Sequence, residues 1–133
     1  MIYTAKTHTT VGRENGASRS SDGRLEVKLS LPGSPRVGTN PEQLLAAGWS
    51  ACLESAIALV AQKKKIKLPA DMAIDAEVDL HLDEGQYFLS ARLNMSIPGI
   101  DRSVAQGLVE EAEGICPYSK ATKGNIAVTY TLV

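Results

Sequence analysis

The stretch from Leu44 to Ala61 is apolar on nearly every side, and it constrains the fold more than any other part of the chain. Just before it, Asn40 suits a helix cap, Pro41 suits the first helical position, and Glu42 faces the positive end of the helix dipole. After it come Lys63, Lys64, Lys65 and Lys67, the only basic run, which reads as a solvated helix end whose charge complements the dipole. A helix without a polar face is buried all round, in a core or at a subunit interface. A chain of 133 residues holds one hydrophobic core but is hard pressed to surround such a helix by itself. That points to an intimate homodimer.

Apolar residues make up 44% of the chain and charged residues 22%, the balance of a globular protein rather than a disordered one. A net charge of −1 argues against a broad electrostatic surface for nucleic acid or an anionic membrane. Met1 to Thr10 lacks the basic start, apolar stretch and small-residue cleavage site of a secretory signal. No apolar run is read as reaching the ~20 residues that span a bilayer, so a cytoplasmic location is expected. In that reducing compartment the two cysteines are expected as free buried thiols or as a pair that cycles, not as a permanent disulfide.

Strand patterns surround the helix. Tyr3 to Val11 reads as a strand, ended by Gly12 and the turn at Asn15-Gly16; Ala17 to Ser20 follows, and Asp22-Gly23 turns again. Leu25, Val27, Leu29 and Leu31 then alternate with polar residues, completing an antiparallel meander. Beyond the helix, Ile74, Ala76, Val78, Leu80 and Leu82 alternate up to a turn at Asp83 to Gln86, and Tyr87 to Ile97 repeats the pattern. Asp101 caps a second helix with an inner stripe of Val104, Leu108, Ala112 and Cys116, which Pro117 ends. Ile126, Val128, Tyr130 and Leu132 form a last strand. The order β-β-β-α-β-β-α-β predicts a single α+β domain over residues 1–133, with antiparallel sheets and two buried helices.

Cys52 and Cys116 are the side chains with the most chemistry to offer. A free cysteine ordinarily packs as a small hydrophobe. Cys52, however, follows the small residues Ser50 and Ala51, and Cys116 stands at a helix terminus before Pro117, where side chains become accessible. There is no CxxC motif, no Cys/His cluster, no phosphate-cradling glycine loop and no dinucleotide fingerprint. His8 and His81 read as exposed strand residues far from any ligand-spaced partner. Taken alone, Arg13 reads as a loop arginine and Glu42 as a first-turn carboxylate, while Leu45, Trp49, Leu53 and Tyr118 read as core.

Two long motifs carry a resemblance. The run from Gly38 to Cys52, Gly-Thr-Asn-Pro-Glu-Gln-Leu-Leu-Ala-Ala-Gly-Trp-Ser-Ala-Cys, resembles the first signature of the organic hydroperoxide resistance proteins of the OsmC (osmotically inducible protein C) superfamily. The run from Cys116 to Asn125, Cys-Pro-Tyr-Ser-Lys-Ala-Thr-Lys-Gly-Asn, resembles the second, and Gly12 to Gly16 with Ser20 to Gly23 matches in place. Leu45 and Leu53 stand where phenylalanine is common, Trp49 replaces a tyrosine, and Lys120 and Lys123 replace an asparagine and an arginine. The first three departures bear on pocket shape and substrate preference.

The resemblance implies an OsmC-like fold in an intertwined homodimer, with two active sites at the interface. It implies a peroxidatic Cys52, a resolving Cys116, and Arg13 and Glu42 as polar partners of the reactive thiol. The substrate would be an alkyl, aryl or fatty-acid hydroperoxide, in apolar surroundings that include Leu45, Trp49, Leu53 and Tyr118. No bound cofactor or metal is implied. The reductant would be an external dihydrolipoyl group, on a lipoylated protein or as dihydrolipoamide.

A thiolate must attack the peroxide oxygen, and a cysteine of pKa ~8.5 is only about 3% ionised at neutral pH. Drawing the pKa down to about 6.5 raises that share to about three quarters. Arg13 would do this and steady the departing alkoxide, with Glu42 holding its guanidinium in a two-pronged grip. Ten residues of helix between Glu42 and Cys52 amount to about 15 Å, which a glutamate does not cover. A shared site therefore needs a broken helix or two subunits, and the second arrangement is favoured. Two other classes stay open on the residues: a non-catalytic dimeric protein that binds a small apolar ligand, and a redox sensor acting through a partner.

Overall fold

The structure, a computed structural model, describes every residue from Met1 to Val133. In chain order the elements are β1 (Thr7–Thr10), β2 (Ala17–Ser20), β3 (Glu26–Lys28), α1 (Pro41–Lys63), β4 (Ala73–Asp83), β5 (Gln86–Ser96), α2 (Arg102–Ile115), α3 (Pro117–Thr122) and β6 (Ala127–Leu132). This is the expected α+β order with one short helix added. The chain divides into two compact units, Met1–Leu44 and Leu45–Val133, and α1 runs across the boundary between them.

The first unit is the antiparallel meander β1-β2-β3. Its strands are shorter than the alternation suggests: β1 keeps only Thr7–Thr10 of the expected Tyr3–Val11, and β3 only Glu26–Lys28. Leu29 leaves the ladder to make an isolated bridge with Thr39. Gly16 is required where it stands, because a Cβ there would collide with the carbonyl oxygens of Gly12 and Thr10. Arg36 fastens the loop that follows β3, donating to the carbonyls of Leu29 at 3.0 Å and Gly16 at 3.2 Å. Leu29 is the one buried apolar residue of this unit.

The start of α1 follows the sequence closely. Asn40 Oδ1 accepts the backbone N–H of Gln43 at 2.9 Å, and Pro41 opens the helix. Its end explains the basic run. Ile66 N–H reaches Ala61 O at 2.8 Å and Lys65 N–H reaches Gln62 O at 3.1 Å, the paired bonds of a Schellman cap. Lys65 takes the left-handed position of that cap, at φ 57°. Lys64 also pairs with Glu111 of α2 at 2.9 Å.

The second unit holds the core. β4 and β5, eleven residues each, form the expected hairpin, with Ile74 opposite Met95, Ala76 opposite Leu93 and Val78 opposite Ala91. The hairpin turns at Glu84 and Gly85, both with positive φ, the conformation of a tight two-residue turn. β6 lies beside β5 in parallel, pairing Ala91 with Val128 and Met95 with Leu132. The expectation of antiparallel sheets holds for the meander and the hairpin and is corrected for β6 alone. A chain that leaves β5, crosses through α2 and α3 and returns enters the sheet in the same direction, as crossover connections do.

Both long helices bury one face. On α1 the buried residues are Trp49, Leu53, Ala56, Ile57, Val60 and Ala61, whereas Ala58 and Leu59 are exposed, so the helix is not enclosed on all sides within one chain. At 23 residues it is also long and apolar enough to cross a membrane, contrary to the expectation that no run reaches that size. A helix packed into a protein core meets the same measure, and the Trp49 face of α1 is packed in this one. On α2, capped by Asp101, the inward face is Ala105, Leu108, Val109 and Ala112. Val104, expected on that stripe, is 41% exposed.

His8 is exposed as expected, but His81 is half-buried: it stacks on Phe88 and shares a 2.7 Å hydrogen bond with Ser90. Ser90 donates in turn to Asp79, and Arg92 grips Asp79 and Glu77. This network lies on the sheet face opposite the core, since its residues alternate with Val78, Ala91 and Leu93.

Candidate active site

Cys52 and Cys116, 64 residues apart in sequence, meet in the second unit with their sulfurs 3.3 Å apart and both thiols free. α1 brings Cys52, at a half-buried position one residue before the fully buried Leu53. Cys116 comes from the junction of α2 and α3, where it is the last cap of one helix and the first cap of the next. Pro117 does not merely end α2; it opens α3 as its first residue. A residue before proline is pushed out of the helical region, and Cys116 accordingly adopts φ −64°, ψ 117°. That bend turns the thiol inward. Cys116 has no exposed surface, which corrects the expectation that the helix terminus would leave it accessible.

A disulfide needs its sulfurs at about 2.05 Å, so closure asks the pair to approach by about 1.3 Å. Burial pushes the Cys52 thiol above its ordinary pKa. The backbone N–H of Tyr118 opposes that rise by hydrogen bonding to the sulfur, and the neighbouring Cys116 thiol adds to it. The Tyr118 ring, 40% exposed, lies over Gly48, one helical turn before Cys52. A Cβ on Gly48 would stand 2.9 Å from the Tyr118 hydroxyl oxygen and 3.3 Å from the ring carbon that bears it.

Of the other apolar residues expected at the site, Leu45 is half-buried and packs against the core, while Trp49 and Leu53 are wholly inside it. Trp49 has a role that its residue type alone does not announce. Its indole N–H donates to Ser119 Oγ at 3.1 Å, and the Tyr130 hydroxyl donates to the same oxygen at 2.8 Å. Ser119 is 4% exposed. Burial raises the Tyr130 hydroxyl above its usual pKa, with the Ser119 bond pulling the other way.

Arg13 and Glu42 meet within the first unit. The guanidinium donates to Glu42 Oε1 at 2.8 Å and Oε2 at 3.3 Å, a two-pronged pair across 29 residues of sequence. The Arg13 side chain is 38% exposed and that of Glu42 only 16%. The bond from Arg13 holds the Glu42 carboxyl below its ordinary pKa, against the opposing effect of burial. No three side chains among His, Cys, Asp and Glu come together as a metal would require.

Two free thiols in contact, one on a long apolar helix and the other on a proline-marked helix junction beside a mixed sheet, define a recognisable class. The chain belongs to the OsmC-like protein family, whose pattern it matches over residues 10–131. Within that family it is similar to the organic hydroperoxide resistance protein of Xanthomonas axonopodis pv. citri, 45% identical over 136 residues that cover 99% of this chain and 95% of the relative. Its fold matches the crystal structure of the organic hydroperoxide resistance protein OhrB of Bacillus subtilis, with a TM-score of 0.92, 38% identity and full coverage of both chains. It is also similar to the crystal structure of a putative organic hydroperoxide resistance protein of Vibrio cholerae with captopril bound in one of its active sites. There the TM-score is 0.91 and the identity 36%, covering 99% of this chain and 92% of that one.

Proposed function

We propose that this protein is a thiol peroxidase that reduces organic hydroperoxides to alcohols, with Cys52 as the attacking thiol and Cys116 as the resolving one. The observation that carries the reading is the 3.3 Å separation of two free sulfurs, one half-buried and the other sealed behind it. The relatives' name, organic hydroperoxide resistance protein, supports a role in resistance to such compounds.

In this reading the Cys52 thiolate attacks one peroxide oxygen. The O–O bond breaks, the alkoxide leaves and takes up a proton as alcohol, and Cys52 becomes a sulfenic acid. Cys116 then attacks the Cys52 sulfur; hydroxide departs with the Cys116 proton as water, and the disulfide forms. A dihydrolipoyl group gives two electrons and two protons to restore the thiols, itself closing to a cyclic disulfide. Arg13, oriented by Glu42, stabilises the thiolate and the leaving alkoxide. Leu45 and Tyr118 are the apolar residues with surface to offer an alkyl or aryl chain; Trp49 and Leu53 back them from inside.

The working unit is a homodimer, supported by what one chain leaves uncovered. The first unit buries a single apolar side chain, Leu29, too little for a three-stranded sheet to stand alone. On the core-side face of the β4–β5 hairpin, Leu80, Leu82 and Tyr87 are 45%, 60% and 71% exposed. Because α1 runs unbroken through Glu42 and Cys52, the Arg13–Glu42 pair that serves a given Cys52 belongs to the other copy. The working compartment in this reading is the cytoplasm, where reductants can return the pair to thiols after each turnover.

Thiol counting after one equivalent of cumene hydroperoxide tests the proposal. Wild type loses both thiols, Cys116→Ser gains a sulfenic acid, and Cys52→Ser consumes no peroxide. Unchanged thiols in wild type reject the peroxidase and leave a protein that binds an apolar ligand. Loss of both thiols without turnover on added dihydrolipoamide leaves a sensor.

A further inference from the structure

Trp49 precedes Cys52 by three residues on α1, and Ser119 follows Cys116 by three residues on α3. The Trp49–Ser119 hydrogen bond therefore runs beside the sulfur contact, about one helical turn away. Tyr130 brings β6 to the same oxygen, so a single buried hydroxyl joins three elements. The indole N–H is a donor only. Trp49 has no exposed surface, so the donor must find its acceptor inside the protein; Ser119 Oγ accepts it, with the Tyr130 hydroxyl beside it.

The way α3 is attached makes that anchor matter. α2 ends at Ile115 and α3 begins at Pro117, with Cys116 alone between them. The Cys116 backbone N–H is committed to Ala112 O at 2.9 Å, and its carbonyl accepts the N–H of Lys120 at 3.0 Å. No flexible linker can carry the thiol to Cys52; its place follows from where the first turn of α3 is held.

We infer that Ser119 is a positioning residue for the Cys52–Cys116 disulfide, its hydroxyl fixing α3 against α1 and β6 so that the Cys116 sulfur stays within closing distance. The inference rests on the peroxidase reading for its place in a catalytic cycle. The disulfide itself forms with any suitable oxidant. In glutathione disulfide the two thiols give up two electrons and two protons, one S–S bond forms as another breaks, and two glutathione thiols are released.

The test uses the full chain as wild type, Ser119→Ala, Ser119→Thr and Trp49→Phe. Each is equilibrated in mixtures of reduced and oxidised glutathione, and the Cys52–Cys116 disulfide is measured by mass after alkylation. Ser119→Ala should lose at least about tenfold in the equilibrium constant for closure, because a loosened pair has a lower effective concentration. Trp49→Phe should lose part of that, and Ser119→Thr, which keeps the hydroxyl, should stay within about threefold of wild type. Emission from Trp49, the one tryptophan of the chain, should shift to shorter wavelength in Ser119→Ala as its N–H loses the Ser119 hydroxyl.

A Ser119→Ala protein with wild-type circular dichroism and a wild-type closure constant overturns the inference. If Ser119→Ala does not fold, a wild-type constant in Trp49→Phe overturns it instead. A parallel arm with cumene hydroperoxide separates the two proposals. Wild type that closes in glutathione but loses no thiols to hydroperoxide defeats the peroxidase, while the Ser119 effect on closure still stands.

Discussion

Arg13 holds Glu42 by both ends of its guanidinium, at 2.8 and 3.3 Å, with the carboxylate far less exposed than the arginine that grips it. The glutamate already has a plain reason to exist, as a negative charge in the first turn of α1. A second reason is that only a carboxylate presents two oxygens to a planar fork, and the fork in turn fixes the direction of the positive charge.

Glu42→Gln should cost at least about tenfold in hydroperoxide consumption at pH 7, since a hydrogen bond to a charged group is worth about 1.5–3 kcal/mol. Arg13→Lys should do the same, as lysine keeps the charge and loses the fork. Stability should fall by less than about 1 kcal/mol in either variant, because the pair is partly exposed and screened. The sign of the pH effect follows from the depressed carboxyl of Glu42. Its contribution is present above the ordinary value of 4.5 and is lost as pH falls through that value toward the depressed one. Melting temperatures of wild type and Glu42→Gln should keep a constant gap at neutral pH and converge in acid. Full peroxidase activity in Glu42→Gln would reduce the pair to a structural clasp.

Gly48→Ala places a methyl group against the Tyr118 hydroxyl at 2.9 Å. The far end of a half-exposed side chain moves cheaply, and alanine favours a helix over glycine by about 0.5–1 kcal/mol. The melting temperature should hold or rise slightly. The displaced ring should change selectivity between bulky aryl and small alkyl hydroperoxides by severalfold in kcat/KM. Gly48→Ala/Tyr118→Phe, without the nearest clashing atom, should return toward wild type. An unchanged selectivity ratio in Gly48→Ala would remove Tyr118 from the substrate path.

Lys65 occupies a left-handed position at φ 57° where the Schellman cap prefers glycine. Lys65→Gly should stabilise the chain, the strain of about 1–2 kcal/mol being partly offset by glycine's greater freedom when unfolded. A net gain of about 0.5–1 kcal/mol in urea denaturation is expected, with peroxidase activity untouched. A loss of stability would mean that the lysine side chain contributes more than its backbone costs.

Much of this architecture was legible in the residues because alternation and capping are local. Ile74 to Leu82 and Tyr87 to Ile97 specified a hairpin with its turn between them, and Asn40 and Asp101 cap the helices they were expected to cap. The same alternation at Ile126 to Leu132 carries no information about strand direction, so the parallel pairing of β6 was out of reach. Pro117 is ambiguous in a similar way, suiting both the end of one helix and the start of another. At the candidate site, Cys52 and Cys116 stood out through the motifs around them. Ser119 did not, since a serine in a polar-looking helix gives no sign that an indole and a phenol 70 and 11 residues away both end on it.

The junction at Cys116 bears on how much of the protein must move to do its work. Two helices abut there with one residue between them, and the sulfur they hold is about 1.3 Å short of bonding distance to Cys52. So short a journey is within the swing of a side chain and needs no loop to open or domain to turn. Oxidation should therefore proceed in a medium that arrests the backbone. Protein locked in a silica gel, or in its own crystals, should still close its disulfide when peroxide diffuses in.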